Sequence, residues 1–343
     1  MLSLVTAGHS IRMIGPRRYG KTSLLGELLR RAAGDGMATV LVDLEDVLSI
    51  GELVVRIERA YDRALKGTVR RHVEALFSVW NVGLSLGAGG FTAAFTANPR
   101  VNSEAVLLRI LDLPRALHDR TGKRTVVVLD EIQDILAIPG ADGKLRSVIQ
   151  HHGVAAAYAF AGSAPGLMAR LFEDPRRPLL EQAVPIELPP LDPDGVARHV
   201  ERRFRGSNRR PGRALAPLVE FTRGHPQRSM LLAHHLWERT PDGGAATEET
   251  WVAAREAALR EASGHLRAIF KALKPNERRV MIALANVAAP LRSREATAAV
   301  GLNPNSAGAA LERLREGADV IDGPLITDPL FAYWLERRGL TGG

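Results

Sequence analysis

The chain has 343 residues, a net charge of +8 at pH 7 and a pI near 10.2. It contains no cysteine, which excludes disulfides, thiolate metal sites and cysteine nucleophiles. Its composition, 45% hydrophobic and 24% charged, is ordinary for a globular protein, and its length favours two or three domains. No apolar run approaches the roughly 20 residues that span a bilayer, and the N-terminus lacks the basic region of a signal peptide. We therefore expect a cytoplasmic protein without membrane association. Its basic surface would attract nucleic acid, unless the arginines only form solvated faces.

The first predicted elements are a buried strand over 10–14 and a helix over 23–30. The segment between them contains a ligand-binding motif. That segment has the G-x-x-x-x-G-K-[ST] spacing of a phosphate-binding loop, in which backbone N–H groups cradle phosphates. Lys21 would reach the β- and γ-phosphates and act in catalysis, and the Thr22 hydroxyl would bind Mg²⁺. The N-terminus of the following helix adds its own attraction for anions. The predicted nucleotide-binding residues are Gly15, Pro16, Arg17, Arg18, Tyr19, Gly20, Lys21, Thr22 and Ser23.

The side chains inside this loop have less certain partners. Arg17 and Arg18 either touch phosphate or pair with acidic neighbours, and the sequence does not decide between these roles. For Tyr19 we expect packing in preference to chemistry.

Four further apolar segments predict the remaining strands, at 38–43, 125–129, 154–161 and 185–189. Helices are predicted over 50–71 and 104–121, and a glycine-rich hairpin over 82–96. Strands that alternate with helices indicate a parallel sheet covered on both faces. Residues 1–190 are therefore predicted to form an α/β P-loop NTPase core with a parallel five-stranded sheet.

Phosphate cleavage also needs a carboxylate near the metal and a group that positions water. Asp130 and Glu131 follow the apolar strand at 125–129 in the Walker B arrangement. Asp130 would act at Mg²⁺, mostly through water, and Glu131 would orient or deprotonate the attacking water. Because adjacent parallel strands end at one edge of the sheet, Asp130 can lie beside Thr22. The alternative is that the two acids only cap the next helix.

Two further candidates follow the strand at 154–161. Ser163 either senses the γ-phosphate or caps the helix that begins near Pro165. Arg176 and Arg177 come after that helix, and one of them, with Arg177 as our choice, could enter a neighbouring subunit's site as an arginine finger. The alternative is a pair of solvated surface arginines.

The second half of the chain is predicted to be almost entirely helical. Helices over 192–204, 213–222, 226–239 and 247–263 would form a helical lid over 191–270. A third domain over 271–343 would contain helices near 277–287, 293–300 and 304–317, a hairpin around Asp322-Gly323 and a last helix over 329–338.

The helices at 293–300 and 304–317 suit a helix-turn-helix, with the second as recognition helix. Residues 293–323 would then contact double-stranded DNA, although winged helices also dock proteins, so a protein partner is the alternative. The polar candidates and their basic flank are Asn305, Ser306, Arg313, Arg315, Arg278, Arg279, Arg292 and Arg294.

Together these motifs resemble the archaeal-type ATPases, a prokaryotic branch of the STAND/AAA+ NTPases. The similar pieces are 15–25, 126–133, 161–168, Gly224-His225-Pro226 and 326–334. The resemblance implies an ATPase core, a helical lid and a winged helix-turn-helix, with ATP and Mg²⁺ as ligands. It also implies that Pro226 lies near the nucleotide and that His225 or Arg228 could approach the phosphates; the alternative is that Gly224 to Pro226 only stops and restarts a helix. The chain departs from the family before its first strand, where relatives carry a helix that helps to hold the adenine.

The sequence therefore predicts an ATP-binding and ATP-hydrolysing AAA+/STAND-type molecular switch coupled to a DNA-binding winged helix. The alternative is a nucleotide-gated scaffold or regulator whose winged helix binds a protein partner, with little hydrolysis. A homo-oligomer would be required if the arginine finger comes from another chain.

Overall fold

The computed structural model describes residues 1–64, 102–286, 294–317, 320–322 and 325–339. The chain divides into two compact units, Met1–Gly15 with Lys21–Leu188, and Pro16–Gly20 with Pro189–Gly343. The predicted hairpin over 82–96 and Arg292 lie outside the described residues. None of the helices in these ranges is long and apolar enough to cross a membrane.

A five-stranded parallel sheet forms the centre of the first unit, which confirms the predicted α/β class. Its strand order is β2-β3-β4-β1-β5. The strands are β1 (Ile11–Ile14), β2 (Ala38–Asp43), β3 (Thr125–Asp130), β4 (Ala156–Gly162) and β5 (Val184–Glu187). In this order β4 lies between β1 and β3.

Strands β3 and β4 are buried along their whole length, as is typical of strands covered on both faces. The side chains of β3 alternate between two apolar clusters. Val127 and Leu129 belong to one cluster, and Val126 and Val128 belong to the other. This period of two places both faces of β3 in a core and leaves its last residue, Asp130, at the carboxyl edge of the sheet.

Seven helices of the described residues accompany this sheet. They are α1 (Leu2–Thr6), α2 (Lys21–Gly34), α3 (Ile50–Ala64), α4 (Ser103–Leu111), α5 (Leu113–Thr121), α6 (Ala141–Ile149) and α7 (Pro165–Phe172). The prediction of one helix over 104–121 is wrong, since the helix is interrupted at Asp112, which ends α4 and precedes α5. Pro114 explains the break, because a proline at the start of a helix has a suitable φ and lacks only an N–H that would stay unpaired there.

The described part of the second unit consists of eight helices and one antiparallel strand pair. The helices are α8 (Pro193–Arg205), α9 (Leu215–Thr222), α10 (Pro226–Arg239), α11 (Glu248–Ala272), α12 (Pro275–Asn286), α13 (Arg294–Ala299), α14 (Pro304–Gly317) and α15 (Pro329–Glu336). The strands are β6 (Ile321–Asp322) and β7 (Leu325–Ile326).

Helix α11 continues well past its predicted end at Ser263, although Gly264 follows. Leu266 and Phe270, in the additional turns, are buried in the core of the unit. Their burial outweighs the cost of about 1 kcal/mol for a glycine inside a helix. That core is a single apolar cluster that runs from Val196 in α8 to Leu335 in α15.

Candidate functional site

The predicted phosphate loop connects β1 to α2. Gly20 has φ +83, a conformation that glycine adopts without strain, and Lys21 begins the helix. The Lys21 side chain is buried, and its Nζ donates to the Gly15 carbonyl oxygen at 2.6 Å. Pro16 is half-buried, whereas Arg17 and Ser23 are exposed. The loop thus holds its lysine folded back over its own backbone.

Thr22 and Asp130 meet at the carboxyl edge of the sheet, across the end of β4. The Thr22 hydroxyl donates to Asp130 Oδ2 at 3.3 Å, and the Glu131 backbone N–H donates to Oδ1 at 3.1 Å. Burial, followed by the charge of Glu131, raises the pKa of the Asp130 carboxyl. A hydroxyl and a carboxylate are ligands that Mg²⁺ accepts, and a cation would compensate the buried charge. The donor set therefore fits the predicted metal.

Glu131 is held in an unusual conformation. Its φ of 51° is left-handed, which is uncommon for a residue with a side chain. Its Oε2 accepts three hydrogen bonds, from the Ser163 N–H at 3.1 Å, the Ser163 hydroxyl at 2.8 Å and Gln133 Nε2 at 2.7 Å. The carboxylate is thus fixed between the end of β3 and the end of β4.

These contacts overturn two capping hypotheses. Ala164, not Ser163, is the N-cap of α7, and Ser163 donates to Glu131 instead. Glu131 precedes a 3₁₀ helix, Ile132–Ala137, but its side chain makes no capping bond there. The alternative that the two acids merely cap the next helix is therefore wrong.

The sequence interpretation missed Gln133. This side chain is 4% exposed, and its Nε2 also donates to Asp134 Oδ1 at 3.2 Å. Gly162 makes room for it, because a Cβ there would lie 2.3 Å from Gln133 Oε1 and 2.4 Å from Met168 Sδ. The only signal in the sequence is the place of Gln133 two residues after Glu131, and a 3₁₀ turn is needed to bring it back to the carboxylate.

The two arginine-finger candidates occupy different environments. Arg177 Nη1 is 3.1 Å from Oδ2 of the buried Asp142, so its guanidinium is held within its own chain. The Arg176 side chain is 88% exposed and pairs with Asp174 at 3.1 Å. No contact among the described residues joins either arginine to Asp130 or Glu131. The finger stays a prediction.

In the second unit, the Gly-x-Pro motif forms a helix start. Pro226 is the first residue of α10, and His225 is its N-cap, accepting from the Arg228 N–H at 3.3 Å. The Tyr19 ring meets the His225 ring edge-on at 4.9 Å. Desolvation by burial lowers the pKa of His225 to about 4, so this imidazole is neutral.

Arg228 is bound to a carboxylate in the same unit. Its guanidinium donates to Asp328 through Nε at 2.8 Å and Nη2 at 2.5 Å, and the arginine is only 2% exposed. Asp328 also caps α15, accepting from the Leu330 and Phe331 N–H groups at 2.9 and 3.3 Å. The Arg228 guanidinium is thus paired with Asp328, although the resemblance implied that Arg228 could approach the phosphates.

No protein-family model matches the chain, and no curated protein matches it either. Solved structures match along nearly its whole length. The ORC2 protein of Aeropyrum pernix, in ADPNP–ADP complexes, has a TM-score of 0.62 at 16% identity, covering 98% of this chain and 89% of that one. Its ADP form has a TM-score of 0.56 at 15% identity, covering 99% and 91%. At this identity the likeness shows the fold alone, which this chain shares with the Aeropyrum pernix ORC2 protein.

Proposed function

We propose that this protein binds ATP with Mg²⁺ and hydrolyses it, as an AAA+/STAND-type molecular switch. The observation that carries the proposal is the meeting of Lys21, Thr22, Asp130 and Glu131 at the carboxyl edge of the sheet. The two Aeropyrum pernix ORC2 structures, of the same fold, contain ADPNP and ADP, which supports an adenine nucleotide here.

The loop from Gly15 to Thr22 would bind the phosphates through its N–H groups. Lys21 would exchange the Gly15 carbonyl for the β- and γ-phosphates, a change of partner for an ammonium already 2.6 Å from the loop backbone. Thr22 and Asp130 would hold Mg²⁺, which supplies charge neutralisation at the β- and γ-oxygens when it is bound.

Glu131 would act on the attacking water. Its Oε2 is fully occupied by Ser163 and Gln133, whereas its Oε1 accepts no hydrogen bond from a described residue. Oε1 would accept the proton of the water as the water oxygen bonds to the γ-phosphorus and the bond to the β–γ bridging oxygen breaks. Ser163 and Gln133 would keep this carboxylate in place.

Steady-state ATP hydrolysis by the full chain tests the proposal. Glu131→Gln should lower turnover by about 10²–10⁴-fold, the usual contribution of a general base, while ATP affinity is retained. Glu104→Gln, an exposed glutamate of α4 that pairs with Lys144, is the matched control and should leave turnover unchanged. A wild-type rate no higher than that of Glu131→Gln would contradict hydrolysis as the function.

For the C-terminal segment we propose a winged helix that binds double-stranded DNA through residues 293–323, with α14 as the recognition helix. Specific contacts also favour the second candidate, a protein-docking role. Arg313 pairs with Glu277 at 3.1 Å and Arg315 with Glu312 at 3.1 Å, so neither guanidinium is a freely available positive charge.

Fluorescence anisotropy with a labelled duplex, over a range of salt concentrations, separates these two candidates. DNA binding predicts an affinity that falls steeply with salt, because phosphate contacts release counterions. Arg279→Gln should reduce that slope, since within the described part of the chain Arg279 donates only to the Gly301 carbonyl, a long bond of 3.4 Å. Absence of salt-sensitive binding, with or without ATP, would favour the protein-docking candidate.

A further inference from the structure

A groove opens to solvent between α8 and α10 in the second unit, with a volume of about 590 Å³. Its floor is apolar. Val200 and Phe204 of α8 are buried beneath it, and Met230 of α10 is 40% exposed within it. An exposed methionine beside buried apolar groups is a flexible surface that adapts to inserted apolar side chains.

The rim of the groove is cationic. Its positive charge comes from Arg202 and Arg203 on α8, and no acidic residue lines the groove among the described residues. The rings of His199 and His234 also line it, and His234 Nε2 lies 3.4 Å from Glu238 Oε1. Both arginines are exposed, and no carboxylate of the described chain lies within ion-pair distance of either. Among the described residues, the hydrogen-bond partner of Arg202 Nη2 is His199 Nδ1, at 3.2 Å. This charge is therefore available to an anionic ligand.

Trp237 lines the groove, and neighbouring side chains fix the orientation of its ring. Its Nε1 donates to the Ser207 hydroxyl at 2.7 Å. The Arg209 guanidinium lies 4.4 Å from the ring centre, and the His234 ring lies nearly parallel to it, at 17° and 6.2 Å. Single-stranded nucleic acid binds where aromatic faces are open to stack with bases. The Trp237 ring is instead already in contact with Arg209 and His234, which disfavours base stacking in this groove.

We propose that the groove binds an acidic amphipathic helix of a partner protein. The space between the two helices, with its apolar floor, suits the apolar face of a third helix. One or two large aliphatic side chains would fill the floor beside Met230, and flanking carboxylates would pair with Arg202 and Arg203. The site lies entirely within α8 and α10 and the turn after α8, so it does not depend on the proposed ATPase.

The test measures binding of a fluorescein-labelled synthetic helical peptide to the full chain by anisotropy. The peptide carries leucines at i, i+3 and i+7 among glutamates, and a second peptide of equal charge has serine in place of leucine. Arg203→Glu and Met230→Glu should each weaken binding of the leucine peptide by about tenfold or more, a change of roughly 1.4 kcal/mol. Far-UV circular dichroism checks that both variants remain folded.

Arg198→Glu is the matched control, because Arg198 is a 72% exposed arginine of the same helix that lies outside the groove and pairs with Asp192. It should weaken binding several-fold less than Arg203→Glu does, because its side chain lies outside the groove and its charge acts only through solvent and salt. An equal loss for Arg198→Glu, equal binding of the serine peptide, or no binding of the leucine peptide would overturn the proposal. Displacement of the peptide by oligothymidylate with the same dependence on Arg203 would assign the groove to nucleic acid instead. Self-association that Arg203→Glu abolishes, measured by sedimentation velocity, would assign it to a second copy; either result contradicts the proposed occupant.

Discussion

Each unit contains a largely buried aspartate, Asp130 in the first and Asp328 in the second. The two carboxylates differ in the groups that stabilise their negative charge. Asp328 in the second unit accepts two guanidinium N–H groups and two backbone N–H groups, all from its own chain. Asp130 in the first unit accepts one long hydroxyl bond and one backbone N–H.

The pKa values of the two aspartates move in opposite directions. Burial alone would raise the pKa of Asp328, but the hydrogen bonds and charge of Arg228 outweigh it and lower that pKa. At Asp130, burial and the charge of Glu131 raise the pKa, and the opposing effects of the Glu131 backbone N–H, Thr22 and Lys21 are smaller.

This difference distinguishes an aspartate that stabilises the fold from one that is suited to bind a ligand cation. A buried charge whose partners are all supplied by the fold stabilises that fold, and removing one partner is costly. A buried charge that the fold leaves under-compensated marks a place where a ligand cation can act. Asp328 and Arg228 therefore hold α10 and α15 together, and we assign Asp130 to the metal of the proposed ATPase.

The largest expected effect is a loss of stability when the Arg228–Asp328 ion pair is broken. Arg228→Met should lower the free energy of unfolding by about 3–5 kcal/mol, because it leaves the Asp328 carboxylate largely buried without its guanidinium. Urea unfolding followed by tryptophan fluorescence measures it, since Trp237, Trp251 and Trp334 all lie in the second unit.

The double variant Arg228→Met with Asp328→Asn should lose less than the sum of the two single variants, because the two residues interact directly. Arg198→Met, on the exposed face of α8, is the control and should change stability by less than about 0.5 kcal/mol. Strict additivity of the two single effects would contradict the assignment of a coupled pair.

The next effect is a pH dependence of the second unit. The pKa of His225 is about 4 in the fold, because burial disfavours the imidazolium, against 6.5 for an ordinary histidine. Between pH 6.5 and 4 the unfolded chain therefore binds more protons than the folded chain, so stability is complete above pH 6.5 and falls as the pH drops toward 4.

The loss should be on the order of 3 kcal/mol at pH 4, measured by the same urea titrations. His225→Asn keeps a helix-capping side chain but cannot be protonated in this range, so its stability should vary less over this interval. A variant with the same slope as wild type would show that other groups cause the pH dependence.

A smaller effect is expected at Gly162. An alanine Cβ would overlap Gln133 Oε1 and Met168 Sδ, and overpacking of this kind costs about 1–3 kcal/mol. Gly162→Ala should also lower ATP turnover, since it displaces the side chain that holds Glu131. Gly26→Ala, at an exposed position of α2 with nothing within 4 Å of its Cβ, should instead be neutral or stabilising. Thermal unfolding that ranks the two variants in the opposite order would refute this packing argument.

The parts of the site that the sequence predicts are contiguous in the chain. The phosphate loop and the Asp130-Glu131 pair each follow an apolar strand, so a local pattern suffices to locate them. The winged helix, the STAND affiliation and the DNA target stay predictions, because the likeness to known structures establishes the fold alone.

The parts that the sequence does not predict are pairings between distant residues. Ser163 and Glu131 are 32 residues apart, and Arg228 and Asp328 are 100 apart. Periodicity reports which face of an element is buried, but it does not report which elements become neighbours. For the same reason the order of the strands, with β4 between β1 and β3, is visible only in the structure.

The most direct test of the comparison is to neutralise each aspartate and to measure two properties of both variants, ATP turnover with Mg²⁺ and the free energy of unfolding. Asp130→Asn should lose at least about 100-fold in turnover, because metal-based charge stabilisation is lost, while stability changes by less than about 1 kcal/mol. Asp328→Asn should lose about 3 kcal/mol of stability, while the molecules that remain folded turn over ATP at nearly the wild-type rate. The opposite pattern, with Asp328→Asn inactive but stable and Asp130→Asn active but unstable, would contradict the account.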